Sequence, residues 1–101
     1  MAAPPVFYVR YAHKAEKLDL DLSIGRDRVE VAFDITALHI LSKGTGVFNL
    51  TFHFYDGTEL TLSSDELHDG DMFHWDIKRL YLSNPAQLGA RLKLLVEYQR
   101  V

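Results

Sequence analysis

Apolar and polar residues alternate along most of this chain, most strictly in Leu18-Asp19-Leu20-Asp21-Leu22-Ser23-Ile24, where every second residue is aliphatic. A period of two puts the aliphatics on one face of a strand and the carboxylates on the other; a helix would scatter the same leucines around its circumference. Val29, Val31, Phe33 and Ile35 predict a second inward row, with Glu30 and Asp34 facing out. Between the two rows Gly25-Arg26-Asp27 reads as a hairpin connection in which Gly supplies the positive φ of a tight turn. Phe48, Leu50, Phe52 and Phe54 predict a third inward row, with Asn49, Thr51 and His53 on the opposite face. Tyr55-Asp56-Gly57-Thr58 then suits a type I′ hairpin returning through Leu60 and Leu62.

The other segments are less regular. Residues 6–12 are β-branched and aromatic, a strand by propensity, and residues 13–17 form a polar connector. Residues 36–42 lose the period, and fit either a bulged strand continuation or one helical turn. Residues 43–46 read as a loop, as does the acidic stretch 63–71. Phe73, Trp75 and Ile77 keep one phase and Leu80 and Leu82 the other, which a bulge near Lys78-Arg79 reconciles. The C-terminal segment has two readings. Asn84-Pro85 has the chemistry of a helix start, and Leu88, Leu92 and Leu95 have helical spacing. Against this, Gly89 inside a short helix costs about 1 kcal/mol, and Leu92, Leu94, Val96 and Tyr98 alternate without exception, so a strand is expected. The sum is an all-β fold, an antiparallel β-sandwich or jelly-roll of seven to eight strands spanning residues 6–101. An extended N-terminal arm, residues 1–5, carries Pro4-Pro5.

Composition narrows the chemistry. A chain of 101 residues, 48% hydrophobic and 25% charged, has room for one globular domain. With no cysteine it has no disulfide, thiolate metal site or Cys nucleophile. The net charge is −3 and the eleven Lys and Arg are scattered, so nucleic acid is not an expected partner. No apolar run approaches the roughly 20 residues that cross a bilayer. The start lacks the basic and apolar stretches of a signal peptide, so synthesis in a cytoplasm is expected.

The densest set of ligand-type side chains is His68-Asp69-Gly70-Asp71-Met72-Phe73-His74-Trp75-Asp76. Its spacing matches neither the twelve-residue calcium loop nor His-Glu-x-x-His, so an acidic, solvated loop is expected and no metal; Asp69, Asp71, His74 and Asp76 would be the first ligands to test. Ser63-Ser64-Asp65 and the histidines lack a Gly-x-Ser-x-Gly elbow. Asp19 and Asp21 share a strand face, where solubility is their expected role. No catalytic residue, cofactor or small-molecule substrate is expected, and the chain reads as a non-enzyme that binds protein surfaces. The rival reading is a small carbohydrate-binding module with an aromatic platform. Trp75 is in phase with core residues, however, and Tyr8, Tyr11, Tyr55 and Tyr81 do not form one row.

A resemblance covers about half the chain. Asp69-Gly70-Asp71, Phe73 to Asp76, Ile77-Lys78-Arg79-Leu80-Tyr81-Leu82-Ser83-Asn84-Pro85-Ala86-Gln87-Leu88-Gly89 and Leu92-Lys93-Leu94-Leu95 resemble a pattern in small structural proteins of tailed bacteriophages and prophages. In that pattern a strand ending in Leu-Tyr-Leu-Ser-Asn is followed by a turn and the last strand. The hairpin with the Asp56-Gly57 turn also fits. The resemblance implies a virion component, a capsid decoration, neck or tail accessory protein without enzymatic activity, made in the host cytoplasm. Its partners would be itself, as a homo-oligomer, and other virion proteins. The arm supplies the candidate interface, Ala2, Ala3, Pro4, Pro5, Val6 and Tyr8, laid as an added strand against a neighbour's sheet edge.

Overall fold

A computed structural model describes residues 13–99 of the chain. Seven strands follow in order: β1 (His13–Asp21), β2 (Arg26–Ser42), β3 (Asn49–Phe54), β4 (Glu59–Ser63), β5 (Met72–Phe73), β6 (Ile77–Asn84) and β7 (Arg91–Gln99). All are antiparallel neighbours in a single sheet of order β1-β7-β2-β6-β3-β4, with β5 pairing β2. The fold is all-β, as the alternation predicts, with one 3-10 turn at Ser64–Glu66. Hydrogen bonding joins the strands into one sheet and does not by itself divide it into the layers of a sandwich or jelly-roll.

The first and second apolar rows are not a hairpin. β1 pairs β7 over nine uninterrupted positions, from His13↔Gln99 to Asp21↔Arg91. The polar connector expected at residues 13–17 is therefore the first half of β1, its charged side chains outvoted by a complete backbone ladder. β2 pairs β6 from Arg26↔Asn84 to Ile35↔Ile77. The two connections, residues 22–25 and 85–90, run side by side: Leu22 N–H donates to Ala90 O (2.9 Å) and Gln87 N–H to Leu22 O (2.8 Å). They form a corner between the β1–β7 ladder and the β2–β6 ladder. Positive φ falls not at Gly25 but at Arg28 (φ 53).

β2 is the strand shared by both halves. Its first part follows β6, and from Ile35 onward it pairs β7, with register shifts between Ile35 and Ala37 and between Ile40 and Ser42. Residues 36–42 are thus a bulged strand continuation, not a helical turn. Further shifts lie between Arg26 and Val29 and between Glu30 and Ala32. They overturn the predicted inward row: Ala32 is buried opposite Leu80, whereas Val29 and Phe33 are exposed at 44% and 55%. Each bulge adds one residue and exchanges the faces of all that follow. The bulge predicted near Lys78 is present: His53 pairs Arg79 but Phe54 pairs Ile77.

Leu92, Leu94 and Val96 of β7 are fully buried together with Leu80, Leu82, Leu50, Phe52, Ile35, Leu38 and Ile40 in one core cluster. Phe48, Leu50 and Phe52 point inward as predicted, while Phe54 is half-buried. Thr51, expected on the solvent face, is buried beside Thr61, with 2.9 Å between their hydroxyls. The β3–β4 turn is not type I′. Phe54 O accepts from Gly57 N–H, Phe54 N–H donates to Thr58 O, and only Gly57 of the loop has positive φ (91°). This is a three-residue loop, a turn followed by a left-handed glycine.

Candidate interaction surface

The candidate interface residues Ala2, Ala3, Pro4, Pro5, Val6 and Tyr8 lie outside the described residues, as does the strand expected at residues 6–12. What the structure supplies is the surface next to them, beginning at β1.

The residues of the acidic cluster do not converge. Asp69 Oδ1 accepts from Lys43 N–H (2.8 Å), and Asp71 Oδ2 from His68 N–H (2.8 Å). The His74 ring sits edge-on to His39, centroids 6.4 Å apart. Among the described residues no three His, Asp or Glu side chains are placed to share a cation. Ser63 caps the 3-10 turn, closed by Glu66 Oε1, which accepts from Ser63 N–H (2.9 Å) and its hydroxyl (3.2 Å). Trp75 is half-buried against Phe52, Phe54 and Phe73, centroids 4.8 to 5.7 Å away, and so packs as an extension of the core.

The corner is cross-linked by a set of side-chain hydrogen bonds. Buried Asn84 donates through Nδ2 to Leu22 O (3.2 Å) and Ile24 O (3.0 Å), and its Oδ1 accepts from Arg26 (3.2 Å). Gln87 exchanges two hydrogen bonds with the Val47 backbone, both 2.7 Å. Gly46 is packed so closely that a Cβ there would meet Leu22 Cδ1 at 2.7 Å and Ala90 Cβ at 3.2 Å. The sequence offers Asn84 either as a helix cap or as a turn residue before the last strand, and the turn is what forms; an Asn followed by Pro signals a chain break, but not that its amide ties two connections together. An open depression of about 340 Å³ beside the corner is lined by Arg26, Asp27 and Val47 among others. The Arg26 guanidinium is engaged by Asp21 O (2.8 Å), Ile24 O and Asn84, which makes it a structural group.

The sheet face around β3 and β6 is a charged lattice. Arg28 lies over the Tyr81 ring at 4.3 Å and forks onto Glu59, which also takes His53 Nδ1 at 2.9 Å. Hydrogen bonds from Arg28, then His53, hold the Glu59 carboxyl down at about 2. Arg79 pairs Glu30 at 2.6 Å. The Tyr55 hydroxyl donates to Asp34, and that bond, with burial, pushes it up to about 12. Burial and a bond to Glu16 raise Tyr98 to about 12 as well.

Among the described residues, strand edges remain at β1, at β4 and at the two-residue β5, which pairs only β2. Of these, β1 has only β7 beside it and β4 only β3. Leu22 N–H to Ala90 O fixes the parity of the first ladder. Even-numbered residues of β1 bond to β7, and Ala15, Lys17, Asp19 and Asp21 turn their backbone N–H and C=O groups outward. On β4 the outward set is Glu59, Thr61 and Ser63, since Ser64 N–H donates to Phe48 O and Phe54 N–H to Thr58 O. Glu66 already takes the Ser63 N–H. β1 is therefore the longest, bulge-free edge, capped at its far end where Arg26 donates to the Asp21 carbonyl. Its core face carries half-buried Leu18 and Leu20, and on its outer face Arg91 Nε bonds Asp19 Oδ1 at 2.9 Å. No family model, curated protein or solved structure matches the chain.

Proposed function

We propose that this chain is a non-enzymatic structural protein of a phage virion, a capsid decoration, neck or tail accessory, that acts by self-assembly and by contacts with other virion proteins. The observation that carries the reading is the β1 edge, a regular row of outward backbone groups on the first described strand. An edge of this kind binds by accepting a strand, with main-chain bonds for affinity and alternate side chains for specificity. Many copies in a symmetric particle need only modest contact each, because the contacts act together. The resemblance of the C-terminal half to phage structural proteins supplies the setting. The half-buried packing of Trp75 weighs against the carbohydrate-binding alternative, which needs an exposed aromatic platform.

Light scattering and cosedimentation with purified shell and tail proteins test this. Full-length protein is expected to assemble. Deleting residues 2–6 should leave the circular dichroism unchanged and weaken assembly. Equal assembly of both forms would remove the arm from the interface. A full-length protein that stays monomeric, ignores shell and tail proteins and binds glycans would overturn the reading in favour of the alternative.

A further inference from the structure

We propose that a second copy of this chain pairs with β1 edge to edge, antiparallel, in the single register that sets Leu18 against its own twin. The proposal deepens the assembly reading and rests on it only in taking self-association as the mode of assembly.

Charged side chains on an edge strand normally prevent edge-to-edge pairing. β1 carries Lys17, Asp19 and Asp21 on its outer face, so a partner strand must meet these charges. Two-fold symmetry allows only registers in which a residue faces its own copy or a mirror-related neighbour. Because the outward backbone groups belong to odd-numbered residues, hydrogen-bonded pairs must join odd to odd. Centring on Lys17 sets Lys17 against Lys17; centring on Asp19 brings Lys17 opposite the partner's Asp21 but sets Asp19 against Asp19 at the two-fold axis. Like charges directly opposite are destabilising.

Centring on Leu18 gives the reverse. Lys17 faces the partner's Asp19 and Asp19 faces the partner's Lys17, two opposite-charge pairs from one symmetric contact. Ala15 faces the partner's Asp21, a neutral pairing. On the other face Leu18 meets the partner's Leu18, extending the cross-strand row of Leu94 and Leu18 across the junction. The same substitution pattern that forbids the neighbouring registers selects this one. The ladder from β1 into β7 has no bulge, so nothing twists the edge away from a partner. The result is a continuous sheet through the dimer.

Register-specific variants test it. In a non-hydrogen-bonded antiparallel pair the Cα atoms lie about 4.5 Å apart, within disulfide reach. Leu18→Cys, the sole cysteine in the chain, should crosslink to itself under mild oxidation far faster than the same variant unfolded in urea. Glu16→Cys should not crosslink to itself, but should crosslink to Leu20→Cys when the two are mixed. In sedimentation, Lys17→Asp and Asp19→Lys should each weaken the homodimer by about tenfold or more, and a mixture of the two should dimerise again. Thermal melting of each variant separates a lost dimer from a lost fold, since Asp19 also holds Arg91. If the wild type associates but Leu18→Cys crosslinks no faster than its unfolded control, or the mixture stays monomeric, the β1 register is wrong and self-assembly stands. A wild type that is monomeric at all concentrations removes both.

Discussion

β3 and the first half of β2 start from the same sequence pattern and end differently. Each offers aromatic or aliphatic residues at every second position: Phe48, Leu50, Phe52 and Phe54 in one, Val29, Val31, Phe33 and Ile35 in the other. In β3 the pattern survives, with the first three residues fully buried. In β2 it does not. Arg28 and Asp34 adopt left-handed backbone (φ 53 and 52), register slips at two places against β6, and Ala32 takes the buried position. Period two describes a strand only between its bulges. What separates the two is neighbourhood: β3 lies between β4 and β6 along its length, while β2 must leave β6 and join β7, and needs the extra residues to bend.

The largest expected effect contrasts two phenylalanines. Phe52→Ala should destabilise the fold by about 3–5 kcal/mol, the usual range for a buried aromatic. Phe33→Ala, more than half exposed, should stay within about 0.5 kcal/mol. Urea denaturation of both variants measures the difference; comparable losses would restore the unbroken row in β2. A smaller effect sharpens the same contrast. Unbroken alternation sets Ala32 toward solvent, where Ala32→Leu would be harmless. In the bulged strand it lies against Leu80 in a packed core, so overpacking should cost about 1–3 kcal/mol by the same measurement.

The smallest effect concerns the pin that holds the bulge. Arg28 and His53 stabilise the ionised form of Glu59, lowering its carboxyl to about 2 in the folded chain. A depressed carboxyl favours folding above its ordinary value and loses that contribution as pH falls through the folded value. Wild type should therefore be more stable than Glu59→Gln near neutral pH, and the gap in melting temperature should close between about pH 4.5 and 2. Because the pair is exposed, the gap should be small and should shrink in salt. A gap that persists at pH 2 would mean that Glu59 acts through packing instead.

Much of the fold was legible. Alternation through Leu92, Leu94, Val96 and Tyr98 decides for a strand against helix-like caps, because a half-buried strand needs each inward position to be apolar and a helix does not. The Lys78 bulge was legible because apolar residues stand on both sides of the phase change. In β2 the bulges fall among Val29, Val31 and Phe33, apolar on either face, and leave no mark. Strand order was not legible either. Adjacent rows joined by a Gly suggest a hairpin, but β1 finds its partner at the far end of the chain, and a ladder formed by backbone groups carries no residue code. The candidate interface was read from the arm; the edge it leads to emerged only once the parity of the β1 ladder was known.

The pairing of β1 with β7 has a consequence for how the chain is made. β1 ends at Asp21 and β7 begins at Arg91, so β1 leaves the ribosome well before its partner. At about 5–20 residues per second, β1 waits on the order of ten seconds for its partner. During that time its unpaired backbone is exposed to every other nascent chain, and a wholly apolar strand would aggregate. Lys14, Glu16, Lys17, Asp19 and Asp21 keep it soluble through the wait. Those charges are thus timed devices: they guard the strand while it is alone, and β7, once it has emerged, relieves them of the task.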